Sequence, residues 1–111
     1  MIRRAALTAL LLVLAGGAGA ETIQKTYQCD RGVRVPVVYV NDPQGENVVV
    51  LWAEGGLYTL IQERAASGVR YGFPNDGSHY IWWEHQGSAM LLWRDGTTGT
   101  EAPVYESCTP V

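Results

Sequence analysis

The sequence contains no apolar run long enough to cross a bilayer. The longest such run, residues 5–15, has 11 residues, whereas a membrane-spanning helix needs about 20. Two arginines precede this run and small residues at 18–20 follow it, which is the pattern of a secretory signal peptide. We therefore expect residues 1–20 to be a signal peptide and residues 21–111 to form the exported domain.

Cysteine is scarce, and the positions of the two cysteines argue against a lipid-anchored protein and against a zinc-binding protein. No cysteine stands next to the small residues at 18–20, so a lipid anchor would have no acceptor near the expected cleavage point. We therefore expect a soluble periplasmic protein. Cys29 and Cys108 also lack the close C-x-x-C spacing of common zinc sites, which argues against a metal held by these cysteines and the two histidines.

The two cysteines favour a single disulfide, because exported proteins with an even cysteine count usually pair them. The alternative is a pair of free thiols. A disulfide that closes a loop of about 80 residues would stabilise the fold by roughly 4.5 kcal/mol, because it lowers the conformational entropy of the unfolded chain. That is a large contribution for a domain of about 90 residues, a size that is often only marginally stable.

Basic residues are few. Removal of residues 1–20 takes away two of the eight basic residues and none of the eleven acidic ones, which leaves six against eleven and a net charge of −5. An acidic surface repels nucleic acid and anionic lipid and attracts cationic partners. We expect neither a nucleic-acid ligand nor a stable membrane anchor after cleavage.

Catalytic motifs are absent from the sequence. No serine lies in a G-x-S-x-G turn, and the acidic residues are spread through turns and strand ends, where they are usually just solvated. His79 and His85 would lie about 20 Å apart along one extended strand, beyond the reach of a single ion. We expect no enzyme activity, no cofactor and no metal.

The sequence predicts an all-β fold. Turn signals rich in Gly, Asn, Asp and Pro separate segments rich in Val, Tyr, Trp, Ile and Thr. Eight such segments have the length of strands: Thr26–Cys29, Val33–Val40, Asn47–Ala53, Leu57–Glu63, Val69–Phe73, His79–His85, Ser88–Arg94 and Pro103–Cys108. Short connections favour antiparallel hairpins that close as a small eight-stranded barrel, with a sandwich as the alternative. Residues 60–66 could instead form a helical turn, because their composition favours helix.

Strand alternation separates two adjacent tryptophans. Regular pleating places Trp82 and Trp83 on opposite faces, so both cannot point inward. One of them could belong to an exposed aromatic patch, and such patches often mark interaction surfaces. One interpretation is therefore a binding module that stacks on envelope glycans or holds a small apolar ligand in the barrel. Its tryptophans would be Trp52, Trp82, Trp83 and Trp93.

Four sequence elements, taken in order, carry a family resemblance. They are Tyr27-x-Cys29-x-x-Gly32, Ser67-Gly68-x-x-Tyr71, Trp82-Trp83 followed by Gly87-x-Ala89, and the terminal Cys108. Together they resemble the inhibitors of C-type lysozyme, which are known in lipoprotein and soluble periplasmic forms. The resemblance spans nearly the whole exported domain. It implies an eight-stranded antiparallel barrel with a terminal disulfide and a C-type lysozyme as protein partner.

The resemblance also implies a binding site. In that family the serine of the S-G-x-x-Y loop enters the lysozyme cleft and hydrogen-bonds its catalytic carboxyls, which assigns this role to Ser67. Gly68 would permit the tight turn, and Tyr71 would support the loop from the barrel side. For Ser67 the alternative is an ordinary turn serine.

The chain departs from the family pattern at the position before Gly87. The family has a lysine there, and this sequence has Gln86. A neutral amide still donates hydrogen bonds, but charge-assisted bonds are roughly twice as strong. Arg70 could supply the missing cation, or it could form a surface ion pair with a neighbouring acid. His85 is a second candidate for the missing cation, if a β-bulge before Gly87 brings its side chain to the same face as that of Gln86.

The His85 hypothesis predicts a pH dependence. Because a histidine gains its charge in mildly acidic solution, lysozyme inhibition should strengthen as the pH falls from neutral to mildly acidic. A His85→Gln variant should lose that increase. Inhibition constants measured across this pH range for both proteins test the hypothesis, and a flat profile for the wild-type protein would reject it.

Overall fold

The computed structural model describes residues 19–111, so the predicted signal peptide lies almost wholly outside the described residues. These residues form eight strands in one closed antiparallel barrel, with each strand hydrogen-bonded to its neighbours in sequence and β8 returning to β1. The strands are β1 (Glu21–Gln28), β2 (Arg34–Asn41), β3 (Asn47–Ala53), β4 (Gly56–Glu63), β5 (Val69–Gly72), β6 (His79–His85), β7 (Ser88–Arg94) and β8 (Glu101–Pro110). A single 3-10 turn, Asp30–Gly32, connects β1 to β2. Within residues 19–111 no helix is long and apolar enough to cross a membrane.

The predicted barrel is confirmed, and the sandwich alternative is wrong because the sheet closes on itself. The bounds of β3, β6 and β7 are those predicted, whereas β1 starts at Glu21 and β8 extends from Glu101 to Pro110. The helical turn considered for residues 60–66 is wrong. Its first four residues continue β4, because Ile61, Gln62 and Glu63 pair with β5 and that pairing overrides the local helix preference.

The barrel interior is filled by its own side chains. On β2 the alternating residues Val35, Val37 and Tyr39 are all buried, as regular pleating predicts. Trp82 is fully buried, and its partner across the β6–β7 pair, Leu91, is also inside. The buried core cluster includes Tyr27, Val35, Val37, Tyr39, Val49, Leu51, Leu60, Tyr71, Trp82, Leu91 and Tyr105.

Polar atoms inside the barrel hydrogen-bond to each other. The Trp82 indole nitrogen donates to the Tyr39 hydroxyl at 2.9 Å, and the Tyr27 and Tyr39 hydroxyls lie 3.0 Å apart. Burial raises the pKa of the Tyr39 hydroxyl far above its ordinary value, so this group stays protonated and neutral. A buried indole without a partner would be costly, so this chain of bonds allows Trp82 to occupy the centre of the barrel.

The barrel closes where β1 meets β8, and we call this region the β1–β8 seam. The seam has only two register pairs, Tyr27 with Pro110 and Gln28 with Thr109. The predicted disulfide between Cys29 and Cys108 is confirmed, and it joins the segment after β1 directly to β8. The Asp30 carboxylate adds two bonds, accepting from the backbone nitrogens of residues 106 and 107 at 2.6 and 3.1 Å. The disulfide and Asp30 therefore reinforce the shortest part of the ladder.

Candidate functional site

Ser67 lies in the connection between β4 and β5, residues 64–68, which we call the Ser67 loop. The loop has no regular secondary structure, and Ser67 and Gly68 are exposed. Because successive strands run antiparallel, alternate connections lie at the same end of the barrel. The Ser67 loop therefore lies at the same end as the β6–β7 turn formed by Gln86 and Gly87. Two of the four segments that carry the family resemblance thus share this end of the barrel.

Gly68 fixes the course of the Ser67 loop. Its backbone is left-handed, with φ of +67°, a conformation that costs a residue with a Cβ roughly 1–2 kcal/mol. A Cβ at this position would also overlap the carbonyl oxygen of Glu84 on β6. The site therefore requires glycine for two independent reasons, one of conformation and one of space.

Trp83 holds the residue before that glycine. Its indole nitrogen donates to the backbone carbonyl oxygen of Ser67 at 2.9 Å. Trp83 is the partly exposed member of the Trp82–Trp83 pair, so the predicted division of the two tryptophans between opposite faces is confirmed. The Trp83 indole on the outer face is only partly exposed to solvent, because it contacts the Ser67 loop.

Arg70 stands beside Trp83 and is fully engaged in ion pairs. It is paired with Trp83 across β5 and β6, and its guanidinium carbon lies 5.0 Å from the Trp83 ring centroid. Its Nε donates to Glu63 at 2.5 Å, and its two terminal nitrogens donate to the two carboxylate oxygens of Glu101. The Arg70 side chain is only 14% exposed. Of the two roles considered for Arg70, the structure shows the ion pair.

Glu101 connects Arg70 to a second cation. Arg94 also donates to the Glu101 carboxylate, at 3.0 Å. The hydrogen bond from Arg70 is the main cause that lowers the pKa of Glu101 below its ordinary value, and Arg94 adds to it. The Arg70 guanidinium is thus hydrogen-bonded to two carboxylates, one of which it shares with Arg94.

Tyr71 lies beneath the Ser67 loop in the barrel core. It is 4% exposed, and its ring packs against Tyr39 at a centroid distance of 5.9 Å. Burial, helped by the nearby Glu84 carboxylate, raises the pKa of Tyr71 to about 12, so the hydroxyl is neutral at ordinary pH. Tyr71 therefore packs inside the barrel on the strand that follows the Ser67 loop, and its support of that loop stays a prediction.

Gln86 and Gly87 form the two-residue turn between β6 and β7. Their φ angles are +53° and +86°, the pair of positive values typical of a type I′ hairpin turn. His85 pairs regularly with Ser88, so the bulge that would bring His85 to the face of Gln86 is not present. The exposed His85 instead lines an open cavity of about 170 Å³ together with Ser67, Trp83 and Met90.

Three residues near the site were not predicted from the sequence. Trp83 was considered for stacking and as part of a family motif, and alternation placed it opposite Trp82 without indicating which of the two lies outside. Glu101 is 31 residues from Arg70, and no local pattern signals that contact. Arg64 is an exposed cation of the Ser67 loop itself, and it belongs to none of the ion pairs found among residues 19–111.

The other exposed tryptophans lie apart from the Ser67 loop. Trp52 is 49% exposed and pairs with Leu57 on the β3–β4 hairpin, and Trp93 is 41% exposed near the end of β7. Both positions are toward the opposite end of the barrel, because the β3–β4 and β7–β8 connections alternate with the Ser67 loop and the β6–β7 turn. The four tryptophans therefore do not form one stacking surface.

These features define a small disulfide-closed β-barrel that presents an exposed, backbone-constrained loop beside a tight hairpin. The chain belongs to the family described as membrane-bound lysozyme-inhibitor of c-type lysozyme, whose sequence profile matches residues 27–99. A relative from Pseudomonas aeruginosa, named membrane-bound lysozyme inhibitor of C-type lysozyme, is 29% identical over 87 residues. The match covers 77% of this chain and 65% of the relative, so this chain spans just under two thirds of that protein's length.

The two requirements for glycine at position 68 can be separated by substitution. Gly68→Ala should lower the free energy of unfolding more than Gly32→Ala does, because Gly32 has a similar φ of +72° but open space where the Cβ would lie. We expect about 1–2 kcal/mol for Gly32→Ala and at least about 1 kcal/mol more for Gly68→Ala. Urea denaturation of both variants measures the difference, and equal losses would show that the approach to Glu84 is unimportant.

Proposed function

We propose that the protein is a periplasmic inhibitor that binds a C-type lysozyme and inserts the Ser67 loop into its active-site cleft. The observation that carries this proposal is an exposed Ser67 on a loop whose backbone is held against β6 by Gly68 and Trp83. Membership of the lysozyme-inhibitor family supports it. No catalytic role is assigned to any residue, and no cofactor is required.

The chemistry of a serine suits the cleft of such an enzyme. A retaining glycosidase works with one protonated and one ionised carboxyl about 5 Å apart. A hydroxyl has one donor and two acceptor positions, so it can donate to the carboxylate and accept from the carboxylic acid. Ser67 would satisfy both groups at once while the loop excludes substrate.

The rim of the site differs from the family pattern. With Arg70 held by Glu63 and Glu101, the proposed contacts beside Ser67 are Gln86, Gly87 and His85. Gln86 would contribute neutral hydrogen bonds, which are weaker than the charge-assisted bonds of a lysine. We therefore propose that this protein relies more on Ser67 than a relative with the lysine does.

Charge would favour the encounter with a basic lysozyme. Residues 21–111 carry a net charge of −5, and attraction between opposite charges raises association rates. This long-range attraction weakens as salt is added, because the screening length falls to about 8 Å at physiological ionic strength. Binding driven in this way should slow at high salt.

Removal of one hydroxyl tests the proposed function. Ser67→Ala should raise the inhibition constant for a C-type lysozyme at least about 10-fold, because a hydrogen bond to a charged group contributes roughly 1.5–3 kcal/mol. The measurement is a cell-wall clearing assay with oxidised residues 21–111. Thr97→Ala is the matched control, because Thr97 is an exposed hydroxyl residue between β7 and β8 at the other end of the barrel.

Two outcomes would contradict the proposal. Inhibition that is equal in the wild-type protein and the Ser67→Ala variant would remove Ser67 from the contact. Absence of inhibition by correctly folded wild-type protein, at concentrations far above that of the enzyme, would reject the inhibitor function and favour ligand binding at the exposed tryptophans.

A further inference from the structure

The Ser67 loop raises a physical question about how it is ordered before binding. Five residues without regular secondary structure, most of them exposed, would lose conformational freedom on entering a cleft, at a cost of roughly 1–2 kcal/mol per residue. A loop already held in its bound conformation avoids part of that cost. The contacts that hold the Ser67 loop in the free protein are therefore candidates for determinants of affinity.

The first such contact is the indole of Trp83. Its nitrogen lies 2.9 Å from the Ser67 carbonyl oxygen, so the bond acts on the peptide group of the same residue that carries the proposed inserted hydroxyl. Gly68 follows directly and lies against the carbonyl oxygen of Glu84. Two successive loop residues thus lie against two successive residues of β6, and one of the two contacts is a hydrogen bond.

The Trp83 ring is itself held in place. Arg70 lies over it with its guanidinium carbon 5.0 Å from the ring centroid. Glu63 from β4 and Glu101 from β8 fix that guanidinium, and Arg94 fixes Glu101 in turn. A chain of contacts therefore runs from β8 through Glu101, Arg70 and Trp83 to the Ser67 carbonyl.

We propose that Trp83 is a positioning residue for Ser67, whose indole N–H holds the loop peptide so that the hydroxyl is presented in its binding orientation. The proposal rests on the proposed function, and it adds a residue that acts through Ser67 and need not touch the lysozyme. In this view Arg70 serves the site by holding the Trp83 ring and not by contacting a carboxylate of the partner.

The test is a double-mutant cycle with Trp83→Phe and Ser67→Ala. Phenylalanine keeps an aromatic ring and removes the N–H donor. Loss of one neutral hydrogen bond should raise the inhibition constant about 3- to 10-fold in the wild-type background. In the Ser67→Ala background the same change should have less than about a 2-fold effect, because no hydroxyl remains to be positioned. Trp93→Phe, at an exposed tryptophan distant from the loop, is the control and should change neither value.

Amide hydrogen exchange of the free protein supplies a readout that does not depend on inhibition. Trp83→Phe should speed exchange at residues 66–69 while the amides of β3 and β7 keep their protection, which also shows that the variant is folded. Trp93→Phe should leave the loop unchanged. An altered exchange rate confined to the loop supports a positioning role.

Three results would overturn the proposal. Unchanged exchange in the Ser67 loop would show that the indole bond does not order it. An equal effect of Trp83→Phe in both backgrounds would show that Trp83 contacts the lysozyme independently of Ser67. Unchanged inhibition in the wild-type background would show that the bond has no consequence for binding. If the wild-type protein does not inhibit a lysozyme at all, the proposed function is wrong, and so is a role of Trp83 in inhibition. The exchange measurement still decides whether Trp83 holds the Ser67 loop.

Discussion

Closure of the barrel at the β1–β8 seam is the constraint on which the rest of the structure depends. The seam has two register pairs, whereas β1 and β2 share eight. A ladder this short leaves little to hold the first and last strands together. The Cys29–Cys108 disulfide, which joins positions 79 residues apart, supplies the missing connection. Because it restricts the unfolded chain, it stabilises the domain by several kcal/mol without adding to the core.

The antiparallel strand order determines which loops become neighbours. Because the strands pair in sequence order, the Ser67 loop and the β6–β7 turn lie at one end, and β8 lies beside β7. The position of β8 beside β7 places Glu101 within reach of Arg70 and Arg94. The ion pairs on the outer wall, and through them the orientation of the Trp83 ring, thus follow from the path of the last strand.

The site combines a rigid backbone with a small polar group. Gly68 and Trp83 hold the Ser67 loop against β6, and buried Tyr71 supports the strand that follows it. Such an arrangement suits a protein that must present one hydroxyl in a narrow groove, because affinity there depends on preorganisation more than on contact area. Gln86 at the neighbouring turn is neutral, so the hydrogen bonds that it can offer are weaker than charge-assisted ones.

Much of the fold could be predicted from the sequence, because its strands are strongly patterned. Segments such as Asn47–Ala53 and His79–His85 combine high β propensity with clear turn signals on both sides, so their bounds were correct. The first five residues of β1 were missed because four of them are polar and all five are exposed. Their strand conformation comes from pairing with β2, a contact between distant segments that local sequence does not reveal.

The site was predictable only in part. The Ser67 loop and the β6–β7 turn were identified from short motifs, and alternation separated Trp82 from Trp83 without indicating which one was inside. The role of Arg70 stayed open, because its partner Glu101 is 31 residues away in sequence and lies on β8, two strands beyond the neighbour of β5. The bond from Trp83 to the Ser67 carbonyl involves a backbone atom, and side-chain patterns carry no information about such a contact.

The most direct test of this account is a crystal structure of oxidised residues 21–111 bound to a C-type lysozyme. The account predicts that the Ser67 hydroxyl lies within hydrogen-bonding distance of both catalytic carboxyls, with the Trp83 indole still bound to the Ser67 carbonyl. A complex in which the barrel contacts the lysozyme through another surface, with the Ser67 loop outside the cleft, would contradict it.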